Sequence, residues 1–184
     1  MSTQPLEQAI ASTRQVLAGV SAEQLDEPTP CASWAVRDLI NHIVGGQRFF
    51  GSALKGEQPA GEVDDASGDF VAAFDQIAAD TLAAFGADGA LDQQYTLPFG
   101  EMPGFAFMGL ATTDTFVHGW DLAKATGQST DLAPDLAASL LEQSKASIQD
   151  AFRGPEGAPF GPETEAPADA SNADRLAAFL GRTV

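Results

Sequence analysis

The sequence predicts an all-α fold: a four-helix bundle with long inter-helix loops and a short C-terminal helix. Four long segments carry apolar residues at helical spacing, and Pro- and Gly-rich stretches of about a dozen residues separate them. No run of strand alternation is convincing, and no repeat of fixed period is visible. At 184 residues the expectation is one domain over residues 1–184, since single cores are comfortable at roughly 100 to 150 residues.

The first helix is expected over residues 3–18, where Leu6, Ile10, Thr13, Val16 and Leu17 share a face, with Gly19 as its end. Ser21 and Gln24 have the spacing of a capping box for a short turn, and the prolines of "DEPTPCAS" demand an extended or turned connector. Ser33 is the expected N-cap of a second helix, "WAVRDLINHIVGGQRFFGSALKG", with His42 near its middle. A polar loop over 57–68 precedes a third helix that starts at Ser67 or Asp69, turns Phe70, Phe74, Ile77, Leu82 and Phe85 inward, and stops near Gly86. Residues 87–103 hold too much Pro and Gly for a helix and only weak extended character. The fourth helix runs from Gly104 to Thr126, and Gly127 ends it. Pro134 opens a fifth that reaches Gly154, a Pro/Gly/acid connector covers 154–171, and Ser171 with Asp174 caps a last short helix.

Composition narrows the function. With 9 basic against 26 acidic residues the net charge is −17, which repels phosphate backbones and anionic lipid, so neither nucleic acid nor a membrane surface is an expected partner. No apolar run of about 18 residues is present and the N-terminus lacks the pattern of a signal peptide, so the expected location is cytoplasmic. One cysteine, Cys31, excludes an internal disulfide framework and suits a reducing compartment.

The chemistry concentrates on three residues. Asp114 and His118 stand four apart in "TTDTFVHGWDLAKATGQ", just over one helical turn, so both side chains rise from one face of an apolar helix. His42, the other of two histidines in the chain, sits on the inward stripe of a different helix. If those helices are neighbours, two imidazoles and a carboxylate converge into a set that suits a divalent transition metal and leaves coordination positions open. The competing explanation is a pair of hydrogen-bonded core histidines with Asp114 as their partner. Asp38 and Asp121 lie one turn from His42 and His118 and could accept each ring's second N–H, unless Asp38 serves the helix start and Asp121 a solvated face. Gly45 and Gly46 clear side chains one turn beyond His42, for a ligand or for close helix packing. Cys31 reads as a small buried hydrophobe, with no basic neighbour in the local sequence to activate it, and Trp34 and Trp120 read as bundle packing.

The stretches "TPCASWAVRDLINHIVGG" (29–46), "FVHGWDLAKATGQ" (116–128) and "FGPETEAPADASNADRLAAFLGR" together resemble the actinobacterial DinB-like proteins related to mycothiol-dependent maleylpyruvate isomerase, over nearly the whole chain. The resemblance implies a DinB-like bundle holding a divalent metal, zinc first with nickel or iron as alternatives, on His42, Asp114 and His118. It also implies mycothiol as a thiol cofactor, and hence a small-molecule thiol and an electrophilic substrate as partners. Two departures from the family pattern stand out. The acid ligand is typically Glu, and Asp114 is shorter by about one C–C bond; and the chain ends soon after the bundle, where the isomerase is expected to carry a further domain. Arg37, Arg48 and Lys124 are scarce positive charges near the proposed helices, and Arg37 and Arg48 are the candidates for binding carboxylates of cofactor or substrate. The expected function is metal-activated thiol transfer or isomerisation of a small electrophile. The alternatives are a metal-dependent hydrolase and a non-catalytic homodimeric bundle that binds a small apolar molecule.

Overall fold

A computed structural model describes residues 2–31, 33–58, 61–154 and 160–184 of the chain; residues 59–60 of the expected polar loop and 155–159 of the expected connector lie outside that set, as does residue 32. Its helices are α1 (Gln4–Ala18), α2 (Val36–Leu54), α3 (Phe70–Phe85), α4 (Gly104–Ala125), α5 (Pro134–Ser147) and α6 (Asn172–Phe179). A two-stranded antiparallel hairpin, β1 (Gln94–Leu97) and β2 (Gly100–Pro103), enters α4 directly. Helix α1 packs along α4, α2 lies between α3 and α4, and α5 pairs with α6 at the far end.

The apolar stripes anticipated for the first four helices are the faces that meet. Leu6, Val16 and Leu17 of α1, Leu39, Ile40, Ile43 and Val44 of α2, and Phe74 and Phe85 of α3 are all buried. Burying each such side chain contributes about 1.5–3 kcal/mol, which is what fixes the helices' rotation about their own axes. Helix α4 is buried on most sides, and its interior polar groups are therefore paired: Thr13 Oγ1 donates to the Thr115 carbonyl at 2.8 Å, and Gln47 Nε2 to Thr115 Oγ1 at 2.7 Å. At Gly119 the α1 and α4 backbones approach so closely that a methyl group would collide with Thr13 Oγ1, which requires glycine there. Gly127, at φ +68°, ends the last turn of α4 in the left-handed region.

Three elements differ from the sequence reading. Ser33 is not the N-cap of α2: it has φ +68°, the N-cap is Ala35, and the Asp38 carboxylate reaches back to accept the Ala35 N–H at 2.9 Å. The fifth helix stops at Ser147, short of Gly154, because Ile148 turns extended (ψ 112°) and packs against the α5/α6 core; a single 3₁₀ turn, Asp150–Phe152, follows. Residues 94–103 form a true hairpin, Tyr95 facing Met102 and Leu97 facing Gly100, with Leu97 and the ring of Tyr95 packed on the Phe107 cluster. Four-residue strands are too short for alternation to announce them. The caps were legible: the Ser21–Gln24 capping box, and the N-cap Ser171, whose hydroxyl accepts the Asp174 N–H at 3.1 Å.

Candidate metal centre

Because α2 and α4 are neighbours, His42 meets Asp114 and His118. The Asp114 Oδ1 atom lies 3.7 Å from His42 Nε2 and 3.6 Å from His118 Nε2, and the two imidazole rings stand edge-on with centroids 4.4 Å apart. The two separations from Asp114 Oδ1, 3.7 and 3.6 Å, are close to the ligand–ligand spacing around one tetrahedral ion with bonds of about 2.0–2.2 Å. Both contacts to the carboxylate are longer than hydrogen bonds, and His42 Nε2 is buried with no hydrogen-bond partner. A buried ring nitrogen without a partner costs free energy unless something occupies its lone pair. A cation between these three groups fits that requirement, and the donor set, two imidazoles and a carboxylate, suits a divalent transition metal.

Behind His118 runs a polar chain that sequence reasoning caught only in part. The fully buried Asp121 carboxylate lies 3.1 Å from His118 Nδ1, accepts from Cys31 Sγ at 3.2 Å, and accepts twice from Arg182, Nε at 3.2 Å and Nη2 at 3.0 Å. Accepting the Nδ1–H leaves Nε2, turned toward Asp114 and His42, as the nitrogen for which a proton and an ion compete. Burial disfavours the His118 imidazolium, yet the hydrogen bonds to Asp121 and Cys31 and the charges of Asp114 and Asp121 outweigh it and push its pKa up to about 10. Burial likewise pushes Asp114 and Asp121 up. The nearby histidines and Arg182 overcome it, and both carboxylates are held below the usual range.

Cys31, His118 and Asp121 form a second group close enough to share an ion. Arg182 argues against that group, since its guanidinium already pairs with Asp121 and would repel a cation placed beside it. The His42, Asp114 and His118 group instead has the unpartnered nitrogen and opens to solvent through two clefts. One, about 910 Å³, is of mixed character and includes Trp34, Asp38, Asn41, His42, Arg48 and Asp64; the other, about 370 Å³, is apolar and runs from His42 and Asp114 to Phe49, Phe50, Phe99 and Leu110.

The remaining residues singled out in the sequence divide between these places. Gly45 borders both clefts with open space where a side chain would stand, and Gly46 backs the Asp114 carboxylate. Arg48 faces the larger cleft, but its guanidinium is committed to Asp65 at 2.7 Å. Arg37 pairs with the exposed Asp26 at 2.6 Å outside both clefts, and Lys124 is exposed at the end of α4. Asp38 serves the α2 start and not His42. Cys31 packs against the bundle core but is only half-buried, and it has a polar partner in Asp121 that the sequence reading did not foresee. Trp34 packs against the bundle core as expected, and its ring also stands 4.8 Å from His42 and 6.0 Å from His118 at the centroids. Trp120 does pack the interior, with its Nε1–H on Asp174 at 2.9 Å. Arg182 gave no local signal beyond the scarcity of basic residues.

Comparison with known proteins bears on the same residues. The family described as "Mycothiol maleylpyruvate isomerase N-terminal domain" matches residues 6–123, which include His42, Asp114 and His118 but not Arg182. Uncharacterized proteins of Mycobacterium tuberculosis, strains H37Rv and CDC 1551, are 47% identical over 170 residues, covering 92% of this chain and 91% of theirs. The crystal structure of the mycothiol-dependent maleylpyruvate isomerase superposes with a TM-score of 0.61 at 12% identity, over 76% of this chain and 65% of that one. A histidine-to-alanine mutant of that isomerase gives 0.57 over 80% and 71% at the same identity. The similarity to these solved structures is one of fold, and the aligned region spans just under two thirds of the isomerase's length.

Proposed function

The chain belongs to the mycothiol maleylpyruvate isomerase N-terminal domain family, and from that premise we propose that it is a metal-dependent enzyme that activates a low-molecular-weight thiol, mycothiol, toward a small electrophile. The observation that carries this reading is the unpartnered, buried Nε2 of His42, aimed at Asp114 beside His118, at the junction of two clefts. His42, Asp114 and His118 would hold the ion, with zinc as the favoured metal. A divalent ion bound there supplies Lewis acidity that makes a thiol nucleophilic near neutral pH.

The protein's own part is orientation and charge. Asp121 takes the Nδ1 proton of His118 in a hydrogen bond and so directs Nε2 inward; Arg182 holds Asp121 in turn. The Trp34 ring beside His42 limits that imidazole's rotation. The larger cleft, lined by amide and carboxylate acceptors, suits a hydroxyl-bearing thiol, since carboxylates accept from hydroxyl groups. No helix among the described residues is long and apolar enough to cross a membrane, and the reading assigns the chain to the cytoplasm, with a homodimer as the assembly to be tested.

Metal content measured on untagged protein, wild type against His42→Ala, tests the first half. About one equivalent in the wild type and little in the variant supports it; equal, negligible metal in both sinks it. A screen of mycothiol with electrophiles, run beside ester substrates, tests the second half. Thiol adducts or isomerised product support the reading, whereas ester cleavage without thiol consumption replaces it with hydrolysis.

A further inference from the structure

We infer that the smaller cleft is the seat of the electrophile, and that it selects an uncharged molecule bearing an apolar ring or chain over a carboxylate-bearing one. The inference rests on the proposed thiol chemistry for the word electrophile, but its evidence is separate. The cleft starts at the candidate metal ligands His42 and Asp114 and is walled by Phe49, Phe50, Phe99 and Leu110. Its volume, about 370 Å³, lies at the small end of ligand pockets, which run from about 300 to 1,000 Å³.

Two exposed apolar side chains support a ligand at this wall. Phe99 sits on the two-residue turn of the β1/β2 hairpin, 59% exposed, with its ring centroid 6.3 Å from that of Phe49. Leu110 is 36% exposed on α4, so large apolar side chains face water at the mouth of a cleft that ends at the candidate centre. Burying those faces against an apolar ligand gains the free energy that exposing them forgoes.

Charge decides the class. Among the described residues the small cleft has no Lys or Arg, and its one acid is Asp114. The larger cleft has Asp38, Glu62 and Asp64 at its wall, and its Arg48 is neutralised by Asp65. An anionic substrate would find no unpaired cation other than the ion itself and would be repelled by the surrounding carboxylates, in a chain of net charge −17. The carboxylate-binding role expected for Arg37 and Arg48 has no place in this cleft, because neither residue borders it.

The test compares two ligands of one shape, 4-nitrobenzyl alcohol and 4-nitrobenzenesulfonate, by protein-observed NMR titration of the full, zinc-loaded chain. The neutral ring should bind at least about tenfold more tightly, shifting Leu110 methyl signals. Phe99→Ser should weaken that binding about fivefold or more, while Phe152→Ser, another exposed phenylalanine at 47%, should leave it unchanged. Equal or tighter binding of the sulfonate, or wild-type affinity in Phe99→Ser, overturns the assignment. The two readings fail separately. Selective ring binding by a chain that performs no thiol transfer supports the cleft assignment and removes the proposed function; metal uptake and thiol transfer with no preference for the neutral ring do the reverse.

Discussion

Replacing Asp121 by Asn preserves the shape of a fully buried side chain and removes its charge. In the metal-free chain the pKa of His118 rises from its ordinary 6.5 to about 10, a preference for imidazolium of roughly 4–5 kcal/mol to which Asp121, Cys31 and Asp114 all contribute. A proton and a metal ion compete for the same His118 Nε2. Apparent zinc affinity of the wild type should therefore climb about tenfold per pH unit from about pH 7 toward 10, the proton being released as the ion binds. In Asp121→Asn the amide oxygen still accepts the Nδ1–H, but the imidazolium loses its charged partner and its pKa falls toward the ordinary value. The affinity profile should then flatten above neutral pH. Near pH 10, where proton competition has faded in both proteins, the variant should bind zinc about 10–100-fold less tightly, the usual cost of removing the group that orients a ligating histidine. At pH 7 relief from the proton, about 1,000-fold if the pKa returns to 6.5, should cancel or exceed that loss. Competition titrations against a chromophoric chelator across pH 6.5–9.5, with the His118 ring followed by NMR, measure both slopes. Parallel profiles of equal slope would refute the reasoning.

Three further outcomes follow from the same network and its supports. Arg182→Ala strands the Asp121 carboxylate in the interior and should destabilise the metal-free chain by about 3–5 kcal/mol in urea denaturation, with partial recovery in Arg182→Lys; an unchanged midpoint would show that the pair carries no weight. Gly119→Ala forces α1 away from α4 at Thr13 and should cost about 1–3 kcal/mol, and Thr13→Ala in the same chain should restore part of it; a thermal melt identical to wild type would contradict the close approach. The raised pKa of His118 stabilises the metal-free fold fully below about pH 6.5, and that stability is lost as pH rises through about 10. Urea midpoints should accordingly fall between pH 7 and 10, and a flat or rising profile would place the imidazolium elsewhere.

What could be read in advance was what burial and local geometry write into neighbouring residues. The helical faces of α1 to α4 were legible because a buried stripe repeats every three or four positions, and Asp114 with His118 was legible because four residues make a turn. His42 could be joined to them only because the chain has two histidines. The rest depended on contacts between distant residues or on competing local choices. Cys31 and Arg182 meet Asp121 across 90 and 61 residues, and no spacing rule reaches that far. Ser33 had the chemistry of an N-cap, but Asp38 could satisfy the helix start from within, which moved the boundary to Ala35. The hairpin at 94–103 has strands of four residues, and the packing of Leu97 and Tyr95 on Phe107 supplies what its local pattern lacks.

X-ray absorption at the zinc edge of the reconstituted full chain addresses the metal centre most directly. Ligation by His42, Asp114 and His118 predicts two imidazoles in the shell, with nitrogen and oxygen at about 2.0–2.2 Å and no sulfur. A sulfur scatterer at about 2.3 Å would move the ion to Cys31, His118 and Asp121, and a chain that takes up no zinc would leave the buried Nε2 of His42 without the ion proposed for it.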